Sequence, residues 1–274
     1  SPHFIFLTKS HSNSTLIFSY NSMSPPVRLF DNFELKELAG STLVVPSVSV
    51  ANIPQFVIDL LLYTYKFSKV AALDDLYLHP FASPVDRAQG TESGTDGGIL
   101  TPVEVYFNAE LKTTIIQQRS PIIGGFSKRY VTEVLAPFVK QAGFNKVVLL
   151  DSSDAGLREN FDPTSQIDFY SNEDLLRYSL AELRITEPRA LDREHYAHSV
   201  FIKELIQATN GLETIVFVSH VYEGDNFNDA RLLARAVAVF LFGLDRSDFV
   251  EPQSWLGVYG NKPVLNAMED GLYC

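Results

Sequence analysis

An α/β fold, with a mixed, largely parallel central sheet flanked by helices and an extended C-terminal tail, is what this sequence predicts. Three observations predict it. The β-branched run Thr42–Val50 is followed at once by a helix signal, Asn52-Ile53-Pro54, and a strand feeding a helix is the first piece of an α/β layer. An apolar helical stripe between Gly125 and Ala142 passes through Gly143 into the nearly all-apolar run Lys146–Leu150, the order of a parallel crossover. A further buried run, Thr214–His220, leads through an acidic loop into a long helix over about 228–241.

Taken in order, residues 1–39 are Ser- and Asn-rich with scattered apolar residues and are expected to form a partly disordered N-terminal extension. Met23 is the only methionine before Met268, so natural translation is expected to start there, with residues 1–22 an extension foreign to the natural protein. Residues 40–250 form the expected single domain and residues 251–274 the tail. In the first βα unit Asn52 is read as an N-cap and Pro54 as a first-turn residue. The helix then runs over about 54–66, with Phe56, Val57, Leu60, Leu61 and Tyr65 as its apolar face.

Val70–Leu73 follows as a short strand. Leu78–Pro102 gathers Pro, Gly, Ser, Thr and Asp without a period, including Gly90, Gly94, Gly97 and Gly98, and reads as a long, mobile surface loop. Val103–Asn108 and Lys112–Gln118 make a hairpin. Gly124-Gly125 introduces the helix to Ala142, and its stripe is Phe126, Tyr130, Val131, Val134, Leu135, Phe138 and Val139. Between Asp151 and Thr186 the pattern weakens to a loop around Pro163 and a helix over about 172–183. A helix over about 197–209 precedes the Thr214–His220 strand. The last thirty or so residues, with Pro252, Trp255 and Pro263, are irregular.

Composition bounds the function. The 274 residues are 46% hydrophobic, ample for a sizeable core. A formal net charge of −11 disfavours nucleic acid and anionic membrane surfaces, which need basic patches, and leaves a protein partner or small ligand as the target. The single cysteine is Cys274, so a disulfide within the chain and a zinc site of several thiolates are excluded. A cytoplasmic or nuclear location fits. No apolar run approaches the roughly 20 residues of a membrane-spanning helix.

Candidate chemistry is sparse, and no catalytic residue, cofactor or metal is expected. His195 and His198 stand three apart, as helical metal ligands do, but no third ligand is evident in the sequence, and surface or half-buried histidines are the reading favoured. Pro121–Lys128 places glycines at a helix start where backbone N–H groups can hold an anion, yet it lacks the Gly-x-x-x-x-Gly-Lys spacing, and a plain turn is favoured. Glu223-Gly224-Asp225-Asn226 follows a strand at the crevice where open α/β sheets bind ligands. Glu223 and Asp225 suit a metal or a sugar hydroxyl there. They equally suit helix initiation, with Asp225 or Asn226 as cap and Gly224 at positive φ, and that reading is favoured.

Five blocks, in order, carry a resemblance: Thr42–Gln55, Gln117-Gln118-Arg119-Ser120-Pro121, Glu223–Asn226, Ser254–Gly260 and the terminal Leu272-Tyr273-Cys274. Together they resemble the proteasome assembly chaperone 2 family, and closest in appearance are its fungal members. The resemblance implies a nucleoside-phosphorylase-like α/β fold without catalytic activity. It implies a heterodimer with proteasome assembly chaperone 1 on the outer face of the proteasome α-ring. It also implies that Leu272, Tyr273 and Cys274 act as a hydrophobic-Tyr-X tail inserting between α-type subunits, promoting ring assembly and keeping regulators off immature cores. The physics suits a pocket: an apolar anchor, a tyrosine with a polar tip, and a terminal carboxylate meeting a lysine. The long Leu78–Pro102 loop, the Asp151–Ser199 region and the N-terminal extension depart from the family pattern. An α/β enzyme or ligand-binding protein using Glu223–Asn226 is the alternative.

Overall fold

A computed structural model describes residues 27–91, 98–158, 166–172, 189–191, 196 and 198–257. The strands are β1 (Val27–Leu29), β2 (Thr42–Pro46), β3 (Ser68–Leu73), β4 (Ser83–Pro84), β5 (Ile99–Leu100), β6 (Val103–Asn108), β7 (Thr113–Gln118), β8 (Lys146–Asp154), β9 (Ile167–Ser171), β10 (Arg189–Ala190) and β11 (Glu213–Val221). The α-helices are α1 (Ile53–Thr64), α2 (Ser127–Tyr130), α3 (Ala136–Ala142), α4 (Val200–Ala208) and α5 (Phe227–Phe242). Among the described residues nine strands make one sheet in the order β1-β3-β6-β7-β2-β8-β11-β9-β10. Its centre, β7-β2-β8-β11, is parallel. The β1-β3-β6-β7 flank is antiparallel, and β9 also runs antiparallel to β11. The sheet is mixed, as expected.

Strand side chains alternate between faces, and the central strands are apolar on both. Leu43, Val45, Val147, Leu149, Val216 and Val218 point to one face, where Val134, Phe138, Ile202 and Leu205 of the helical layer cover them. Val44, Val148, Leu150, Ile215 and Phe217 point to the other, under α1 and α5, with Val57, Leu61, Leu233 and Val237 in the same core. Two-sided burial is why β8 and β11 read as continuous apolar runs.

Several boundaries move for local reasons. β2 stops at Pro46, because the chain leaves the ladder at Ser47 and turns through Val50–Asn52, with Ala51 and Asn52 in the left-handed region at φ 55° and 52°. Asn52 therefore makes no side-chain cap for α1, and Gln55 Nε2 instead ties the helix start to the Ser47 carbonyl at 2.7 Å. The helix expected up to Ala142 is interrupted by a π-helical turn at Val131–Leu135. Pro137 explains it: proline has no N–H for the preceding turn and crowds its carbonyl. Gly143, at φ 71°, ends α3 as expected.

α4 begins where Ser199 accepts from the Ile202 N–H at 3.3 Å. β8 runs on to Asp154, four residues past its expected end. β9 was expected as loop; it forms because β11 offers it a ladder from Ile215 to Ser219. The helix expected over 172–183 falls almost wholly outside the described residues, as does His195.

The long loop is tied down at both ends. Leu78 bridges to Ile122, β4 pairs with β5, and Leu100 is buried. Further on, the Gln89 N–H donates to the Glu251 carbonyl at 2.8 Å and the Gln253 N–H to the Arg87 carbonyl at 2.6 Å. This clamps the chain beyond α5, where Trp255 stacks on Phe227 at 4.2 Å between ring centroids, with Phe56 edge-on to both. Among the described residues no helix is long and apolar enough to cross a membrane.

Candidate functional site

The parallel strands β2, β8 and β11 all end on one side of the sheet, where open α/β folds place their ligand crevice. What the sequence puts at those ends is polar: Ser47 and Ser49 after β2, Asp151 and Ser152 in β8, Ser219 and His220 in β11. Asp151 is fully buried. Its Oδ1 accepts from Ser47 Oγ at 2.5 Å and from the Ser152 N–H at 3.0 Å, and its Oδ2 from Tyr196 at 2.6 Å. Burial pushes this carboxyl above the usual range, although Ser47, Tyr196 and the Ser152 N–H each pull it down. Burial and the neighbouring Asp151 likewise push the Tyr196 hydroxyl up, so it stays protonated and donates.

The hydroxyls beside Asp151 are also engaged. Ser49 Oγ and Ser152 Oγ are 2.7 Å apart, and Ser152 Oγ donates to the Val50 carbonyl at 2.6 Å. Both oxygens of Asp151 are occupied, so the network stitches the ends of β2 and β8 together.

Next to it lies a second cluster. His220 Nε2 and Asp168 Oδ2 are 2.9 Å apart, and Arg158 donates to Asp168 Oδ1 at 3.0 Å. The His198 ring stands edge-on to His220, centroids 5.5 Å apart, and its Nε2 lies 3.4 Å from the Tyr170 hydroxyl. No third partner for His198 is visible in the sequence; the fold supplies Asp168 and His220 from β9 and β11. The only hint in the sequence is a titratable residue inside an otherwise apolar run, Asp168 in Ile167–Ser171 and His220 near the end of Glu213–Val221.

In the Glu223–Asn226 loop the side chains of Asp225 and Asn226 are hydrogen-bonded locally at the start of α5, in other roles than expected. Asn226 is buried: its Oδ1 accepts from the Gly224 N–H at 2.8 Å, and its Nδ2 donates to the Tyr222 carbonyl at 2.7 Å and to Asp229 Oδ2 at 3.1 Å. It therefore knits the loop rather than capping α5. Asp225 Oδ1 is the side-chain acceptor at the helix start, 3.4 Å from the Phe227 N–H. Gly224 is not at positive φ, and a Cβ there would meet nothing within 4 Å.

Gln117–Pro121 joins the sheet to α1. Gln117 Nε2 donates to Asp59 Oδ1 at 2.8 Å, and Arg119 grips both oxygens of Asp59, at 2.7 and 3.3 Å. Burial alone would lower the Arg119 pKa, but the Asp59 charge and hydrogen bonds outweigh it and the guanidinium is held charged. Gly125, at φ 84°, makes the turn before α2. Leu272, Tyr273 and Cys274 lie outside the described residues.

With this geometry established, the mixed α/β fold is one that also appears in solved structures. Pyrococcus furiosus PbaA, described as an archaeal homolog of proteasome-assembly chaperone, superposes with a TM-score of 0.57 at 15% identity, covering 81% of this chain and 88% of that one. PbaB of the same organism, described as an archaeal proteasome activator, gives 0.57 at 14% identity over 80% and 89%. In sequence, proteasome assembly chaperone 2 of Saccharomyces cerevisiae is 28% identical over 253 residues, 80% of this chain and 95% of its own length. The human protein of that name is 28% identical over 214 residues, covering 71% and 78%. The PAC2 family model matches residues 43–248. The chain belongs to the PAC2 family.

Proposed function

We propose that the chain is a non-enzymatic assembly chaperone of the proteasome core. The single observation that carries this is the family match over residues 43–248, joined by a Saccharomyces cerevisiae relative named proteasome assembly chaperone 2 that aligns over 95% of its own length. In this reading it pairs with proteasome assembly chaperone 1, binds the outer face of the α-ring in cytoplasm and nucleus, and inserts Leu272-Tyr273-Cys274 into a pocket between α-type subunits. There it promotes ring assembly and blocks premature regulator binding. Exposed apolar side chains at the strand ends, Leu157 and Tyr222, suit a protein partner. The engagement of Asp151 and Asn226 in internal bonds suits a structural rather than catalytic crevice.

A tyrosine entering a pocket buries roughly 150–250 Å², and ordering the tail consumes much of that gain. The tail alone then binds weakly, and affinity comes from combining it with the partner chaperone's contacts on the same ring. The test is co-purification of core-particle precursors with the tagged chain, with and without residues 272–274. Deletion or Tyr273→Ala is expected to leave folding and pairing with chaperone 1 intact while weakening α-ring binding at least about tenfold. Wild-type recovery of precursors after both chaperone tails are removed overturns the anchor. A ligand that protects the wild type, but not Asp225→Ala, from heat favours instead an enzyme or small-ligand-binding protein using Glu223–Asn226.

A further inference from the structure

β9 and β11 run side by side, which brings Asp168 and His220 together, and the segment entering α4 brings His198. One carboxylate oxygen and one ring nitrogen from each histidine lie within 4.8 Å of one another. Asp168 and His220 are buried, while His198 is less so. Two imidazoles and a carboxylate are a donor set that zinc accepts in open sites, with three protein ligands and a remaining position for water. Cobalt and nickel accept it too, through their affinity for imidazole. Calcium and magnesium need six or more oxygens, and a single carboxylate does not supply them.

We propose that Asp168, His198 and His220 form a binding site for a divalent transition-metal ion of the zinc type. Bond lengths of about 2.0–2.2 Å put tetrahedral ligand atoms about 3.3 Å apart. His198 then swings inward, the 2.9 Å contact between Asp168 Oδ2 and His220 Nε2 opens by a few tenths of an ångström, and the proton on Nε2 moves to Nδ1, so that His220 stays a neutral imidazole and gives its Nε2 lone pair to the ion. The surroundings hold the ligands for this. Arg158 occupies Asp168 Oδ1 and so presents Oδ2 to the ion, and the Tyr170 hydroxyl beside His198 Nε2 steadies that ring. Among the described residues His220 Nδ1 is buried without a partner, so that nitrogen is available to carry the ring proton when the ion takes Nε2. The Arg158 charge nearby makes the site weaker than a closed four-ligand one. None of this depends on the chaperone reading.

The test uses the full chain, stripped with a chelator, dialysed, and titrated with Co2+ by visible absorption and with Zn2+ by calorimetry. One equivalent of Co2+ with the spectrum of a low-coordinate nitrogen–oxygen site, displaced by Zn2+, is expected. His198→Ala should lower the affinity at least about tenfold while leaving the metal-free melting temperature at the wild-type value, and Asp168→Asn should weaken binding similarly. Absence of both signals in the wild type overturns the site. Binding that survives unchanged in His198→Ala also overturns it, since the ion then sits at other histidines, and this holds even if Asp168→Asn fails to fold.

Discussion

Tyr196 donates its hydroxyl to Asp151 Oδ2 at 2.6 Å, so a residue from the segment before α4 makes the one bond, among the described residues, at that oxygen of a carboxylate buried at the end of β8. Tyr196→Phe should leave the oxygen unpaired and cost about 1–3 kcal/mol, measurable by urea denaturation. It should also raise the Asp151 pKa further, since the lost bond favours the charged form.

The pH dependence of Asp151 has a definite sign. Its folded pKa is raised, so the folded state holds the proton more tightly than the unfolded chain. That contribution is complete below the unfolded carboxylate value and is lost as pH rises through the folded one. Asp151→Asn cannot ionise. Its stability relative to wild type should therefore be poorest in acid and recover as pH climbs through this window, as followed by denaturation across a pH series. Parallel profiles for the two proteins would contradict the assignment.

Breaking the Asp59–Arg119 pair from either side should be severe. Asp59→Ala strands a guanidinium and Arg119→Ala strands a carboxylate, each largely shielded from water, and a buried charge left alone costs about 3–5 kcal/mol. The double change Asp59→Leu with Arg119→Met should be much milder than either single one, because it removes both charges together. A thermodynamic cycle over the four proteins measures the difference.

In the loop before α5, Asn226→Ala should cost about 1–3 kcal/mol, because it removes three bonds at a buried position. Asp225→Ala should cost about 0.5 kcal/mol, at the low end for a cap, because its bond is exposed and long. Gly224→Ala should stay within about 0.5 kcal/mol of wild type. Reversal of the first two in chemical denaturation would return the capping role to Asn226.

Trp255 is the only tryptophan, so its fluorescence reports the clamp between the long loop and the chain beyond α5. Phe227→Ala removes its stacking partner, a pair worth about 0.5–1.5 kcal/mol beyond area burial. Tryptophan emission should then shift to the red at denaturant concentrations where far-ultraviolet circular dichroism still reports a folded sheet.

What could be read from the residues follows from where their structure is decided. The runs Val44–Val45, Val147–Leu150 and Ile215–Val218 declare themselves because both faces are buried, and Gly143 declares the end of α3 because its left-handed turn is local. β9 does not, since Ile167–Ser171 is a strand only by virtue of β11 beside it. Asn52 misleads because it has the chemistry of a cap but lies in the left-handed region, where its side chain caps nothing. Asn226 has the same chemistry and is buried inside its loop. The Asp168, His198 and His220 cluster is invisible from spacing, since strand pairing across fifty residues assembles it.

The position of β2 has a consequence for synthesis. It pairs on one edge with β7 and on the other with β8, Thr42 meeting Thr113 and Lys146 in register. Both partners emerge later, the second about 100 residues on, which at 5–20 residues per second is roughly 5–20 s of translation. Until β7 emerges both edges of this apolar strand are open, and until β8 emerges one of them stays open, the exposure that templates intermolecular pairing. A protein of an assembly-chaperone family thus begins life needing protection itself, and its yield should depend on how fast the ribosome delivers β8.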